Sequence, residues 1–128
     1  MTAAPPRATV LVCDDDARIR DALREAIAAQ PDLAVAAVAC NHDEAVDLAE
    51  RLTPTLAIID VRMPGGGARA TRDILRTCPD TRVLAFSAHD DPGAIREMHQ
   101  AGALEYLVKG APLREILGTL RRLAHTSP

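Results

Sequence analysis

Short apolar runs recur at Thr9–Cys13, Leu33–Ala39, Thr55–Ile59, Val83–Phe86 and Leu104–Val108, separated by stretches whose apolar positions follow helical spacing. Most of the runs are apolar at successive rather than alternate positions, the pattern of strands covered on both faces. The stretches between and after them predict helices at Ala17–Ala29, Asp43–Leu52, Ala68–Thr77, Pro92–Ala101 and Pro112–Ala124. The last carries the clearest stripe, with Leu113, Ile116, Leu117, Leu120, Leu123 and Ala124 on one face.

Boundary residues agree with this division. Asn41 followed by Glu44 fits a capping box, Asp91-Pro92 fits an N-cap with proline at the first helical position, and Gly102 follows the fourth helix as a stop. Pro31, Pro54 and Pro79 stand just past the first three helices. Strict alternation of strand and helix predicts an α/β fold: a parallel sheet with right-handed crossovers and helices on both faces. For five strands the expected order is the flavodoxin-like 2-1-3-4-5, a three-layer α/β/α sandwich. Ligands then bind beyond the carboxyl ends of the strands, where the strand order reverses.

Composition narrows the classes. A length of 128 residues suits one domain, and no apolar stretch approaches the ~20 residues needed to cross a bilayer. The expectation is a loose arm at 1–7, a folded domain at 8–124, and a tail or start of a linker at 125–128. Met1 to Arg7 lacks the apolar core of a signal peptide, which predicts a cytoplasmic protein. Cys13, Cys40 and Cys78 have no paired spacing and are expected as buried free thiols, while His42, His89, His99 and His125 default to the surface. Net charge is -3, the arginines are scattered, and Phe86 and Tyr106 are the only aromatics. Direct nucleic-acid contact by this segment is therefore not expected.

The chemistry lies at the ends of the runs. Asp14 and Asp15 end the first, Asp60 the third, Ser87 the fourth and Lys109 the fifth. Lys109 is the single lysine against fourteen arginines, a compact point charge rather than a planar fork. Two carboxylates ~5 Å apart repel by roughly 3 kcal/mol at an effective dielectric of 20, so a cluster of three calls for a cation or protons. Oxygen ligands without His or Cys suit Mg²⁺ (or Mn²⁺), which makes Asp60 a candidate nucleophile toward a phosphoryl group. Lys109 and Ser87 would then hold the phosphoryl oxygens. Singly, each residue has a plainer reading: Asp14 to Asp16 as a helix N-cap, Asp60 as a turn residue, Ser87 as a locally bonded hydroxyl, Lys109 as a solvated charge, Tyr106 as plain core or interface. Gly65-Gly66-Gly67 after Met63-Pro64 lacks the Lys-Ser/Thr ending of a P-loop and predicts a flexible turn. In the expected fold all four strand ends fall at one edge of one sheet, and four plain coincidences there are much less probable together than singly.

Taken together, Val10-Leu11-Val12-Cys13-Asp14-Asp15, Ile59-Asp60-Val61-Arg62-Met63-Pro64-Gly65, Phe86-Ser87-Ala88 and Tyr106-Leu107-Val108-Lys109 resemble the CheY-like receiver domain of bacterial two-component response regulators. The resemblance covers about residues 8 to 124. It implies that a histidine kinase or phosphotransfer protein donates a phosphoryl group to Asp60. It implies further that Asp15, Asp60 and the backbone carbonyl of Arg62 bind Mg²⁺, with Asp14 acting through water. Ser87 and Lys109 would bind the phosphoryl group, and Tyr106 would swing inward as Ser87 moves. The stretches Asp80-Thr81-Arg82-Val83 and Ser87 to Asp91 are similar to receivers that precede a LuxR/NarL-like helix-turn-helix output module. Such a receiver would be a signalling switch rather than an enzyme, apart from its own phosphoryl transfer and slow autodephosphorylation. A homodimer would form through the fourth helix, fifth strand and fifth helix, or through the first and fifth helices. The loop after Met63-Pro64 departs from the usual pattern and is one residue short.

Two rivals share the same residues. A small Mg²⁺-dependent aspartyl-phosphate phosphatase or phosphotransferase would use Asp60 too, but Arg62 stands where such an enzyme needs a general acid. A flavodoxin-like cofactor binder would need aromatics to stack a flavin.

Overall fold

The computed structural model describes residues 7–126. The expected arm and tail therefore lie mostly outside the described residues. Five strands, β1 (Ala8–Cys13), β2 (Leu33–Ala39), β3 (Leu56–Asp60), β4 (Arg82–Ser87) and β5 (Glu105–Val108), alternate with five helices. These are α1 (Ala17–Ala28), α2 (His42–Leu52), α3 (Gly67–Thr77), α4 (Pro92–Ala101) and α5 (Leu113–Ala124). The strands pair in parallel in the order β2-β1-β3-β4-β5, as expected.

The pleat explains the layers. On β1, Val10 and Val12 join Leu23 and Ile27 of α1 and Ile116 and Leu120 of α5 in one core cluster. Leu11 and Cys13 point the other way, into a second cluster with Ala45 of α2, Ile74 of α3 and Met98 of α4. The unbroken apolar runs thus feed two cores at once, which strands buried on both faces require. The edges differ: β2 and β5 are mostly half-buried, because each has a neighbour on one side only. Between β1 and β2 the register slips where Val10 faces Val35 and Leu11 faces Ala37, leaving Ala36 as a bulge.

Helix boundaries follow the predicted caps. Asn41 accepts the Glu44 N–H at 2.8 Å while Glu44 reaches back to the Cys40 N–H at 2.8 Å. Asp91 accepts the Gly93 N–H, and Gly102 closes α4 in the left-handed region at φ 118°. Three expectations need correction. His42 is buried rather than on the surface, its imidazole between Asp43 at 2.8 Å and Asp73 at 2.7 Å. Cys40 is only half-buried, its thiol donating to Glu44, because it stands at the end of an edge strand. Leu113 is exposed in the first turn of α5, beyond the reach of the sheet, so the helix's apolar stripe begins at Ile116.

Candidate functional site at the carboxyl edge of the sheet

β1 and β3 are neighbours, so their carboxyl ends bring Asp14, Asp15 and Asp60 to one place. One carboxylate oxygen from each lies within 4.8 Å of the others. Asp14 and Asp60 are buried, and Asp15 is exposed at the rim. Lys109, just past β5, reaches in to place Nζ 2.8 Å from Asp14 Oδ2 and 3.5 Å from Asp60 Oδ1. The Asp14 contact is an ion pair off the line of a hydrogen bond, so that buried oxygen has a counter-charge but no aligned donor.

One ammonium does not balance three carboxylates. Burial first, and then the charge of Asp14, push the Asp60 carboxyl up to about 6, against the pull of Lys109. Burial also opposes the charge on Lys109. The close contact with the Asp14 carboxylate and the charges of Asp60 and Asp14 outweigh it and hold the lysine pKa above its ordinary value.

The donor set fits a hard divalent cation. It offers oxygen atoms only, with Asp15 open to water and an Asp14 oxygen lacking an aligned donor. The adjacent Cys13 thiol is pushed up by burial and by Asp14, so it stays protonated and offers no soft ligand. Arg62 meets Asp60 through its backbone N–H, 3.4 Å from Oδ1.

The other expected residues form a second layer. Ser87 is buried at the end of β4, its Oγ accepting the His89 N–H at 3.1 Å, and its carbonyl accepts the Lys109 N–H at 2.6 Å. Tyr106 is half-buried, and its hydroxyl donates to the His89 carbonyl at 2.7 Å. The loop between β4 and α4 thus ties Ser87 to Tyr106 through one residue, His89, which is itself exposed.

Sequence patterning alone does not single out two residues behind the site. Gly67 opens α3 so close to the end of β3 that a Cβ there would collide with the Asp60 carbonyl and the Val61 backbone. Its N–H donates to the Val61 carbonyl at 3.0 Å. The three glycines therefore form a hydrogen-bonded turn fitted against the end of β3, rather than the flexible turn their composition predicts. Arg20, on α1, donates from Nη1 to the Asp14 carbonyl at 2.7 Å.

Comparison with known proteins agrees with this geometry. The family described as "Response regulator receiver domain" matches residues 10–121. The response regulator GacA of Pseudomonas aeruginosa is 38% identical over 116 residues, 89% of this chain and 54% of that protein. The transcriptional regulatory protein LiaR of Bacillus subtilis is 32% identical over 120 residues, 93% of this chain and 57% of that protein. The chain spans about half the length of the curated relatives it matches. Among solved structures, the receiver domain of the putative response regulator NarL from Mycobacterium tuberculosis superposes with a TM-score of 0.88 at 31% identity, covering 94% of this chain and 98% of that one. The response regulator domain of Thermotoga maritima CheB gives 0.87 at 28% identity, covering 95% and 99%. The family match, with a doubly wound sheet and an acidic cluster at its switch point, defines a signalling receiver module. The chain belongs to the response regulator receiver domain family.

Proposed function

We propose that Asp60 accepts a phosphoryl group from the phosphohistidine of a histidine kinase or phosphotransfer protein, and that this shifts a two-state equilibrium in the domain. One observation supports the assignment above the rest: a buried carboxylate within 4.8 Å of two others and 3.5 Å from the chain's single lysine. An Asp60 oxygen attacks phosphorus, the P–N bond breaks, and its electron pair leaves with the donor imidazole, giving an acyl phosphate. Asp14, Asp15, Asp60 and the Arg62 carbonyl are the groups we assign to Mg²⁺ (or Mn²⁺), Asp14 through water. The ion supplies positive charge that offsets both the carboxylates and the phosphoryl oxygens. Lys109 holds one phosphoryl oxygen by charge-assisted hydrogen bonding, and the Ser87 hydroxyl turns from the His89 N–H to another.

That turn is the switch. Ser87 and Tyr106 both bond to His89, so withdrawal of the Ser87 hydroxyl loosens the loop that anchors the tyrosine. Tyr106 then moves inward and the surface of α4, β5 and α5 changes, a population shift between states a few kcal/mol apart. The partner surfaces we assign are this face or α1 with α5, each suited to a homodimer. A groove of about 590 Å³ lies beside Lys109 between α1 and α5, bordered by Asp16, Ile19, Phe86 and Leu113. We assign the domain to receivers that act on a helix-turn-helix output module, with no nucleic-acid contact by the receiver itself; the solved LuxR-family regulator that it resembles supports this class. Water hydrolyses the acyl phosphate slowly, and the chain does not turn over a small substrate.

Intact mass after incubation with Mg²⁺ and acetyl phosphate tests the reading. The parent is expected to gain one phosphoryl group and Asp60→Asn none. An equal adduct on both refutes it.

A further inference from the structure

The chain's arginines are mostly surface charges, but Arg20 is spent differently. Arg18, two positions earlier, is 93% exposed and only 3.7 Å from Asp16. Arg20 is half-buried and turns its guanidinium onto a backbone oxygen, the carbonyl of Asp14, at 2.7 Å. A charge-assisted bond to a neutral carbonyl is about twice as strong as a neutral one, so it is a firm tether.

The tethered atom matters because of the residue that follows it. The Asp14 carbonyl belongs to the rigid peptide plane from which Asp15 projects. Two further bonds fix the preceding residue: the Asp14 N–H donates to the Ala39 carbonyl at 3.0 Å, and Asp14 Oδ1 accepts the Asp16 N–H at 2.9 Å. Asp15 itself is exposed, so burial does not hold its side chain. The backbone is what aims its carboxylate, and Arg20 is the side chain that grips that backbone.

We propose that Arg20 is a positioning residue for the metal site: by holding the Asp14 carbonyl it aims the Asp15 carboxylate and thereby sets the affinity for Mg²⁺. The inference rests on the metal-binding reading above. Groups hydrogen-bonded directly to a ligand change metal affinity by about 10- to 100-fold when removed, and Arg20, which acts on the ligand through the backbone, is placed at the low end of that range.

Calorimetric titration of Mg²⁺ into the unphosphorylated chain tests it. Arg20→Ala is expected to weaken binding on the order of 10-fold. Arg20→Lys keeps a single cationic donor, which is all that one carbonyl requires, and is expected to stay within about 3-fold of the parent. In an Asp15→Asn background, Arg20→Ala should cost nothing further, since the ligand it aims is gone. The inference is overturned if Arg20→Ala binds Mg²⁺ like the parent, if Lys is as weak as Ala, or if the loss is the same with and without the Asp15 carboxylate. A parent that binds no Mg²⁺ overturns the metal reading itself and this inference with it. Should Arg20→Ala not fold, Arg20→Met keeps the stem's packing and takes its place in the same comparison.

Discussion

Asp60 is the residue where the opposing forces meet. A carboxyl pushed up to about 6 takes up a proton more readily in the folded chain than in the unfolded one. Without Mg²⁺, its contribution to stability is therefore most favourable at acid pH and is lost as pH rises from the ordinary carboxylate value toward about 6. In the proposed metal site Mg²⁺ would compete with that proton. Its apparent affinity should strengthen as pH rises through about 6 and level off above, and titrations at pH 5.5 and 7.5 check this; equal affinity at both contradicts it. Lys109 completes the balance, and its identity as the single lysine follows from the space it occupies. A compact ammonium fits between Asp14 and Asp60, whereas a guanidinium fork needs a broader face.

At the scale of elements, the seam between β3 and α3 does the work that composition disguises. Gly65 holds φ 89° with its Cα against the His42 side chain, and Gly67 lies against the Asp60 carbonyl. These look alike in the sequence and differ in function because the constraint is tertiary. Gly67→Ala should destabilise the chain by about 2 kcal/mol through overpacking. Gly118→Ala, on open helix surface in α5, should stabilise it by a few tenths to about 1 kcal/mol. Urea unfolding of both variants measures the contrast, and a Gly67→Ala as stable as the parent would contradict the close approach. Helices and strands were legible because their periodicity and caps are local: the Asn41–Glu44 box and the Asp91-Pro92 start lie where the spacing put them. Burial of His42 was not, since it depends on Asp73, thirty-one residues away on α3. Nor was the Arg20 contact, since an arginine in a first helical turn reads as solvated until the path of β1 is known.

For the whole molecule, topology is what makes four scattered residues a site. Asp14, Asp15, Asp60 and Lys109 span nearly a hundred positions, and the β2-β1-β3-β4-β5 order returns them to one edge. That convergence was legible because strand ends are marked by the change from apolar to reactive side chains. The link from Ser87 to Tyr106 through His89 was less so, because it runs through backbone atoms that no residue type announces. The most direct test locates the phosphoryl group on the chain. After reaction with acetyl phosphate and Mg²⁺, borohydride converts an aspartyl phosphate to homoserine, and tandem mass spectrometry finds its position. Homoserine at position 60 alone is the predicted result; homoserine at 14 or 15, or none in a chain that binds Mg²⁺, would contradict it.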